Sequence, residues 1–156
     1  DVGNAIGGLG NLFYLQGKHA DAERQFRAML ELKERALGPD HPEVASCLNN
    51  LGAVLDERGQ LGEAERVHDR ALHIRQARLG NDHPDVAYSH NNLGTVLQRQ
   101  RRYAEAEEHI RRALEITEQV MGPEHPDTAN ALANLAESAC YKFVSRRPEG
   151  VIKVTA

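Results

Sequence analysis

Asparagine recurs in this chain where a helix should least favour it. Asn49-Asn50, Asn91-Asn92 and then Asn134 lie inside stretches that otherwise read as helical, although asparagine competes for backbone hydrogen bonds and forms helices poorly. A carboxamide carries two donors and an acceptor, which suits gripping the backbone of an extended peptide whatever its side chains. The other candidates for chemistry are weaker. His41, His83 and His125 stand 42 residues apart in equivalent positions, too far apart to share an ion, and are expected to cap and pack connectors. His68 and His73 are five apart, off the i, i+4 spacing that sets two metal ligands on one helix face. Gly3, Gly7, Gly8 and Gly10 lack the preceding strand and the lysine of a phosphate loop. No Ser-His-Asp, Cys-His or paired-carboxylate arrangement stands out, so neither catalysis nor a cofactor nor a metal is expected.

The spacing of these residues follows from a repeat. Leu37-Gly38-Pro39-Asp40-His41-Pro42 returns as Leu79-Gly80-Asn81-Asp82-His83-Pro84 and as Met121-Gly122-Pro123-Glu124-His125-Pro126, a step of 42 residues. Sliding Gly38–Leu79 onto Gly80–Met121 gives 19 identities in 42 positions. Such self-similarity indicates stacked supersecondary units, an architecture that favours binding over catalysis. Within the central unit, Val44, Cys47, Leu48, Leu51, Val54 and Leu55 form an i, i+3, i+4, i+7 stripe from Pro42 to about Arg58. Pro42 and Pro84 fit the first helical position, with His41 or Asp40 as cap. A second helix is expected from about Leu61 to Arg78, burying Ala64, Val67, Ala71, Leu72 and Ile74, with Gly80 as a left-handed terminator. Gly52 and Gly94, with Ala64, Ala71, Ala106 and Ala113, let paired helices approach closely.

Helix pairs with small residues at these spacings resemble tetratricopeptide repeats. The 42-residue step and the Leu-Gly-x-Asp-His-Pro connector resemble the kinesin-light-chain type in particular. The resemblance covers roughly residues 4–140, starting with Leu9, Gly10, Phe13, Gly17, Ala22 and Phe26 in a first unit. It implies an all-α, right-handed superhelical solenoid of antiparallel helix pairs. Units are expected at about 1–37, 38–79 and 80–121, with a partial unit at 122–140 and a non-repeat tail at 141–156. Two departures stand out. Arg101 replaces a usual glycine, so its turn is expected to be tighter or differently capped. The pattern stops after Cys140, and the strand-like Val151-Ile152-Lys153-Val154 could cover the last helix, be disordered or meet a neighbouring molecule.

In such a solenoid the first helix of each pair lines a concave groove. Its outward positions are Asn4, Asn11 and Tyr14; Ser46, Asn49, Asn50, Ala53, Asp56 and Glu57; Tyr88, Asn91, Asn92, Thr95, Gln98 and Arg99; and Asn130, Asn134 and Glu137. From these the candidate peptide-binding residues are Asn49, Asn50, Tyr88, Asn91, Asn92, Thr95, Arg99 and Asn134. Asn49 and Asn91 are the favoured ligand contacts, while Asn50, Asn92 and Asn134 serve equally well as buttresses between units. The resemblance implies attraction to acidic peptides, yet Asp56, Glu57 and Glu137 oppose Arg99.

Bulk composition narrows the partner. A net charge of −4 gives no broad footprint for nucleic acid, and no apolar run is long enough for a membrane span. Cys47 and Cys140 lie 93 residues apart, forming neither disulfide framework nor metal spacing, as expected of a reducing, cytoplasmic setting. A start at Asp1 rather than Met is expected of a piece of something longer. The expected function is a protein–protein interaction module taking an extended peptide in its groove. The alternative is a structural spacer or scaffold that self-associates, with the tail as one route.

Overall fold

The structure, a computed structural model, describes residues 2–145, with side chains from 5 to 144. The strand-like segment at 151–154 and the Asn4 side chain lie outside the described residues. Among the described residues seven helices follow one another: α1 (Val2–Leu15), α2 (His19–Leu37), α3 (Pro42–Glu57), α4 (Leu61–Leu79), α5 (Pro84–Arg99), α6 (Tyr103–Met121) and α7 (Pro126–Ser145). There is no strand among the described residues.

The connectors set the helix ends. His41 holds an extended backbone, and its Nδ1 accepts the Glu43 N–H at 3.2 Å. His83 accepts from Asp85 at 3.1 Å and His125 from Asp127 at 3.2 Å in the same way. Proline at the next position contributes no donor, where none is needed. The terminating glycines differ from expectation. Gly38, Gly80 and Gly122 have φ of 89°, 86° and 89° with ψ of 158°, 165° and 165°. That is not the left-handed helical well but an extended region that essentially only glycine enters.

Each helix packs on the next in chain order, and α3 also touches α5 as α5 touches α7. With Asn11 and Tyr14 of α1 lining one hollow together with Asn50 and Ala53 of α3, the odd-numbered helices form one wall. Within each pair a glycine receives the partner helix. A Cβ on Gly10 would stand 2.7 Å from the Phe26 ring, and one on Gly94 would stand 2.5 Å from Ile110 Cγ1. A Cβ on Gly52 would overlap the His68 imidazole. Phe26, His68 and Ile110 are successive occupants of one repeat position, so His68 fills a slot that its neighbours fill with hydrocarbon.

The Arg101 turn is not tighter than its counterpart. Arg101 takes φ 64°, close to the 72° of Gly59. Its N–H bonds the Gln98 carbonyl as that of Gly59 bonds Asp56, and the next N–H reaches Leu97 as that of Gln60 reaches Leu55. The arginine simply tolerates a backbone that favours glycine. Helix α7, for its part, runs past Cys140 to Ser145. Tyr141 stacks on Tyr103 with centroids 5.4 Å apart, and Lys142 pairs with Glu107 at 2.5 Å. These contacts to α6 hold a turn that the repeat pattern alone does not anticipate.

Candidate functional site

The wall formed by α1, α3, α5 and α7 presents a row of polar side chains. Asn11, Asn50, Tyr88 and Asn130 are exposed on it, and Tyr14 and Asn92 are half-buried. None of these makes a side-chain hydrogen bond among the described residues. Two hollows indent the row. One of about 110 Å³ is lined by Asn11, Tyr14, Asn50 and Ala53 over Phe26. Another, of about 100 Å³, lies between α5 and α7, lined by Tyr88, Asn91, Asn130, Asp127 and small residues that include Ala113 and Thr117 of α6. Each has the scale of a side chain, well below a cofactor pocket. Partial burial, then Glu57 and Asp56, raise the Tyr14 pKa, so its hydroxyl stays a donor at neutral pH.

The profile of the tetratricopeptide repeat matches residues 1–77, 57–116 and 85–142. The chain belongs to the tetratricopeptide repeat family. Its fold resembles BtubC (BKLC) from P. vanneervenii at a TM-score of 0.83 with 22% identity, over 90% of this chain and 56% of that one. It equally resembles the nearly identical TPR-like repeats of a Podosopora anserina protein described as a kinesin light chain, TM-score 0.83 with 19% identity, over 90% of this chain and 66% of that one. The chain thus spans less than two thirds of either relative, and these identities carry the fold alone. The sequence matches no curated protein at a significant level. As an all-α tetratricopeptide solenoid the chain has the architecture of an interaction module, and no helix among the described residues is long and apolar enough to cross a membrane.

Within this tetratricopeptide wall the asparagines divide otherwise than expected. Asn49 is not on the groove surface: it is 5% exposed and faces the interior. Arg75 can only donate, so the Asn49 carboxamide oxygen turns to it, 3.0 Å from Nη2, while Nδ2 donates to His68 Nδ1 at 3.2 Å. Arg75 itself is 6% exposed, donating to Ser89 Oγ at 2.7 Å and to the Asp85 carbonyl at 3.2 Å. The first asparagine of this pair is therefore the buttress and the second, Asn50, the exposed one. Asn91 and Asn134 meet each other instead, Nδ2 of Asn134 donating to Asn91 Oδ1 at 2.9 Å between α5 and α7. Thr95 bonds back to the Asn91 carbonyl at 3.0 Å. Arg99 pairs with Asp56 Oδ1 at 2.6 Å and donates to the Asp56 carbonyl at 2.7 Å. Gln98 reaches Ser138 Oγ at 2.6 Å and the Asn134 carbonyl.

In the polar seam of Asn49, His68, Arg75 and Ser89 only Asn49 belongs to a recurring pair of residues. The seam's own signal is the opposite one, positions where the 42-residue identity breaks toward polarity: His68 against Ile110, Arg75 against Thr117, His90 against Leu48. His90 and His109 meet at 2.9 Å through their Nδ1 atoms, so one ring must donate and the other accept. Burial, then His109 and Arg112, lowers the His90 pKa to about 4. Burial likewise lowers that of His68 to about 4, with Arg75 adding to the effect and Asp56 opposing it.

Asn49→Ala is thus expected to cost stability rather than a ligand contact. Removing the carboxamide leaves Arg75 and His68 short of partners inside the protein, at about 1–3 kcal/mol. Urea denaturation should show the loss. An unchanged midpoint would place Asn49 outside the seam.

Proposed function

We propose that the chain is a protein–protein interaction module that binds an extended peptide along the wall of α1, α3, α5 and α7. The observation that carries this reading is the run of unengaged carboxamides and hydroxyls beside two side-chain-sized hollows. Asn50, Asn92 and Tyr88 are the proposed principal contacts. Asn91, Asn134 and Arg99 shape the groove through their bonds to neighbouring helices, Thr95 bonds back to the Asn91 carbonyl of its own helix, and Asn49 supports the wall from within. The wall is held by packed helices, so little ordering entropy opposes binding on this side.

The test is peptide display on the wild type and on an Asn50→Ala, Asn92→Ala, Tyr88→Ala variant. All three residues lie outside the apolar core clusters, so helical content and melting should persist while enrichment disappears. Enrichment that survives the triple substitution would remove the groove from the reading.

A scaffold reading rests on a separate observation. Leu12 and Leu15 of α1 are 50% and 82% exposed at one end of the array, and Leu132 and Val144 of α7 are 47% and 64% exposed at the other. Two separate apolar surfaces, one on α1 and one on α7, fit a heterologous contact between copies. Sedimentation velocity showing a mass that rises with concentration would favour it over a monomeric peptide binder.

A further inference from the structure

We propose that the groove selects an extended segment carrying lysine or arginine, a deepening that rests on the peptide-binding reading above. The argument is one of charge left over after the internal pairs are made. Of the groove positions, Arg99 is the one basic side chain, and its guanidinium is bound to the Asp56 carboxylate and carbonyl. Glu57 and Glu137, both exposed on the same wall, make no ion pair among the described residues. Asp127, exposed at the α5–α7 hollow, is the one ionisable carboxylate lining it. His125 Nδ1 lies 3.6 Å from this carboxylate. That nitrogen already accepts the Asp127 N–H, so it carries no proton to offer.

Two further cations sit behind this wall: Lys33, paired with Glu43 of α3 at 2.7 Å, and Arg75, which works against a charge near Tyr88. Arg75 sits 5.7 Å from the centre of the Tyr88 ring, buried and tied to Ser89 and Asp85. Its field disfavours a cation at Tyr88 itself and leaves Asp127, Glu57 and Glu137 as the negative points. The α5–α7 hollow, with Pro84, Ala87 and Ala131 as its apolar lining and Asp127 as its ionised group, suits a long basic side chain: aliphatic stem against the walls, charged head toward the carboxylate. An acidic peptide would bring its carboxylates to a wall whose two cations among the described residues are already paired, Arg99 with Asp56 and Lys142 with Glu107. This is the reverse of the charge preference that the family resemblance implies.

Three labelled peptides of equal length on one Ser/Gly/Ala framework, bearing lysine, glutamine or glutamate, test this by fluorescence anisotropy. The lysine peptide should bind on the order of tenfold tighter than the glutamine peptide at low salt, with the gap closing as ionic strength rises. Glu57→Gln, Asp127→Asn and Glu137→Gln together should abolish the preference without lowering the melting temperature. Glu108→Gln, Glu118→Gln and Glu124→Gln, the same change of charge away from the groove, should leave it intact.

Preference for the glutamate peptide, weakened by the Asn50, Asn92, Tyr88 variant, would overturn the charge assignment and keep the groove. Lysine-peptide binding that both charge triples weaken alike would reduce it to net charge and overturn it too. Binding of none of the three would overturn the groove reading itself, and with it this one.

Discussion

Phe26→Ala should be the most damaging single substitution in the chain, lowering stability by about 3–5 kcal/mol, as for other buried aromatic truncations. Phe26 is 2% exposed and belongs to the core of Ala22, Met29, Cys47, Leu51 and Leu55, joining α2 to α3. Its ring also receives Gly10 of α1. One truncation thus empties the junction of three helices and removes the floor of the hollow between Asn11 and Asn50. In a solenoid the stability is close to a sum of units and neighbouring interfaces, so the damage should stay local. Hydrogen exchange should show lost protection in α1 and α2 while α5 and α6 keep theirs. Uniform loss across all helices would mean that the array folds as one cooperative block.

Acidification to about pH 5 should cost about 4 kcal/mol relative to pH 7.5, roughly half from each of two histidines. His68 and His90 have folded pKa values of about 4, below the ordinary 6.5 that they regain on unfolding. Between those values the unfolded chain takes up protons that the folded chain refuses. Stability is therefore full above about pH 6.5 and falls as the pH drops toward 4. The groups around each ring fit this direction: Arg75 beside His68, with Asp56 opposing, and His109 and Arg112 beside His90. His109 is lowered as well, burial outweighing Asp69, Glu108 and Glu105. Only one proton is counted for the His90–His109 pair, because two protonated rings would turn donor against donor. The paired carboxylates Glu43, Glu65, Glu105 and Glu107 are held below the ordinary 4.5, so they contribute little of the change at pH 5. Urea midpoints across this range measure the slope. His68→Ile with His90→Leu, the residues found at the equivalent places one unit away, should flatten it. A slope unchanged in that double variant would move the effect to other groups.

The helices and their pairing were legible because both follow from periodicity. Pro42, Gly59 and Gly80 punctuate the chain, and the stripe from Val44 to Leu55 is buried as its spacing requires. Gly52 and Gly94 read correctly as sites of close approach, since a missing side chain is visible in a sequence. The groove was legible only in outline. Neighbouring asparagines in a helix point about 100° apart, and a rotation of that size separates interior from surface. Periodicity places the wall but cannot decide which of Asn49 and Asn50 turns inward; that depends on Arg75 and His68, on another helix. The end of α7 was hidden for a related reason, because Tyr141 and Lys142 are held by Tyr103 and Glu107 rather than by any repeat of pattern.

The buried seam also fixes the order in which units can be strung together. Arg75 of one unit is completed by Ser89 of the next, whereas the residue equivalent to Ser89 in the earlier unit is Cys47. Thr117, which takes Arg75's place one unit on, bonds the Ala113 and Leu114 carbonyls of its own helix and asks nothing of its follower. A gene rearrangement that copied residues 38–79 in tandem would set a buried guanidinium against a thiol. The units are alike enough to recombine, but this junction gives them distinct addresses.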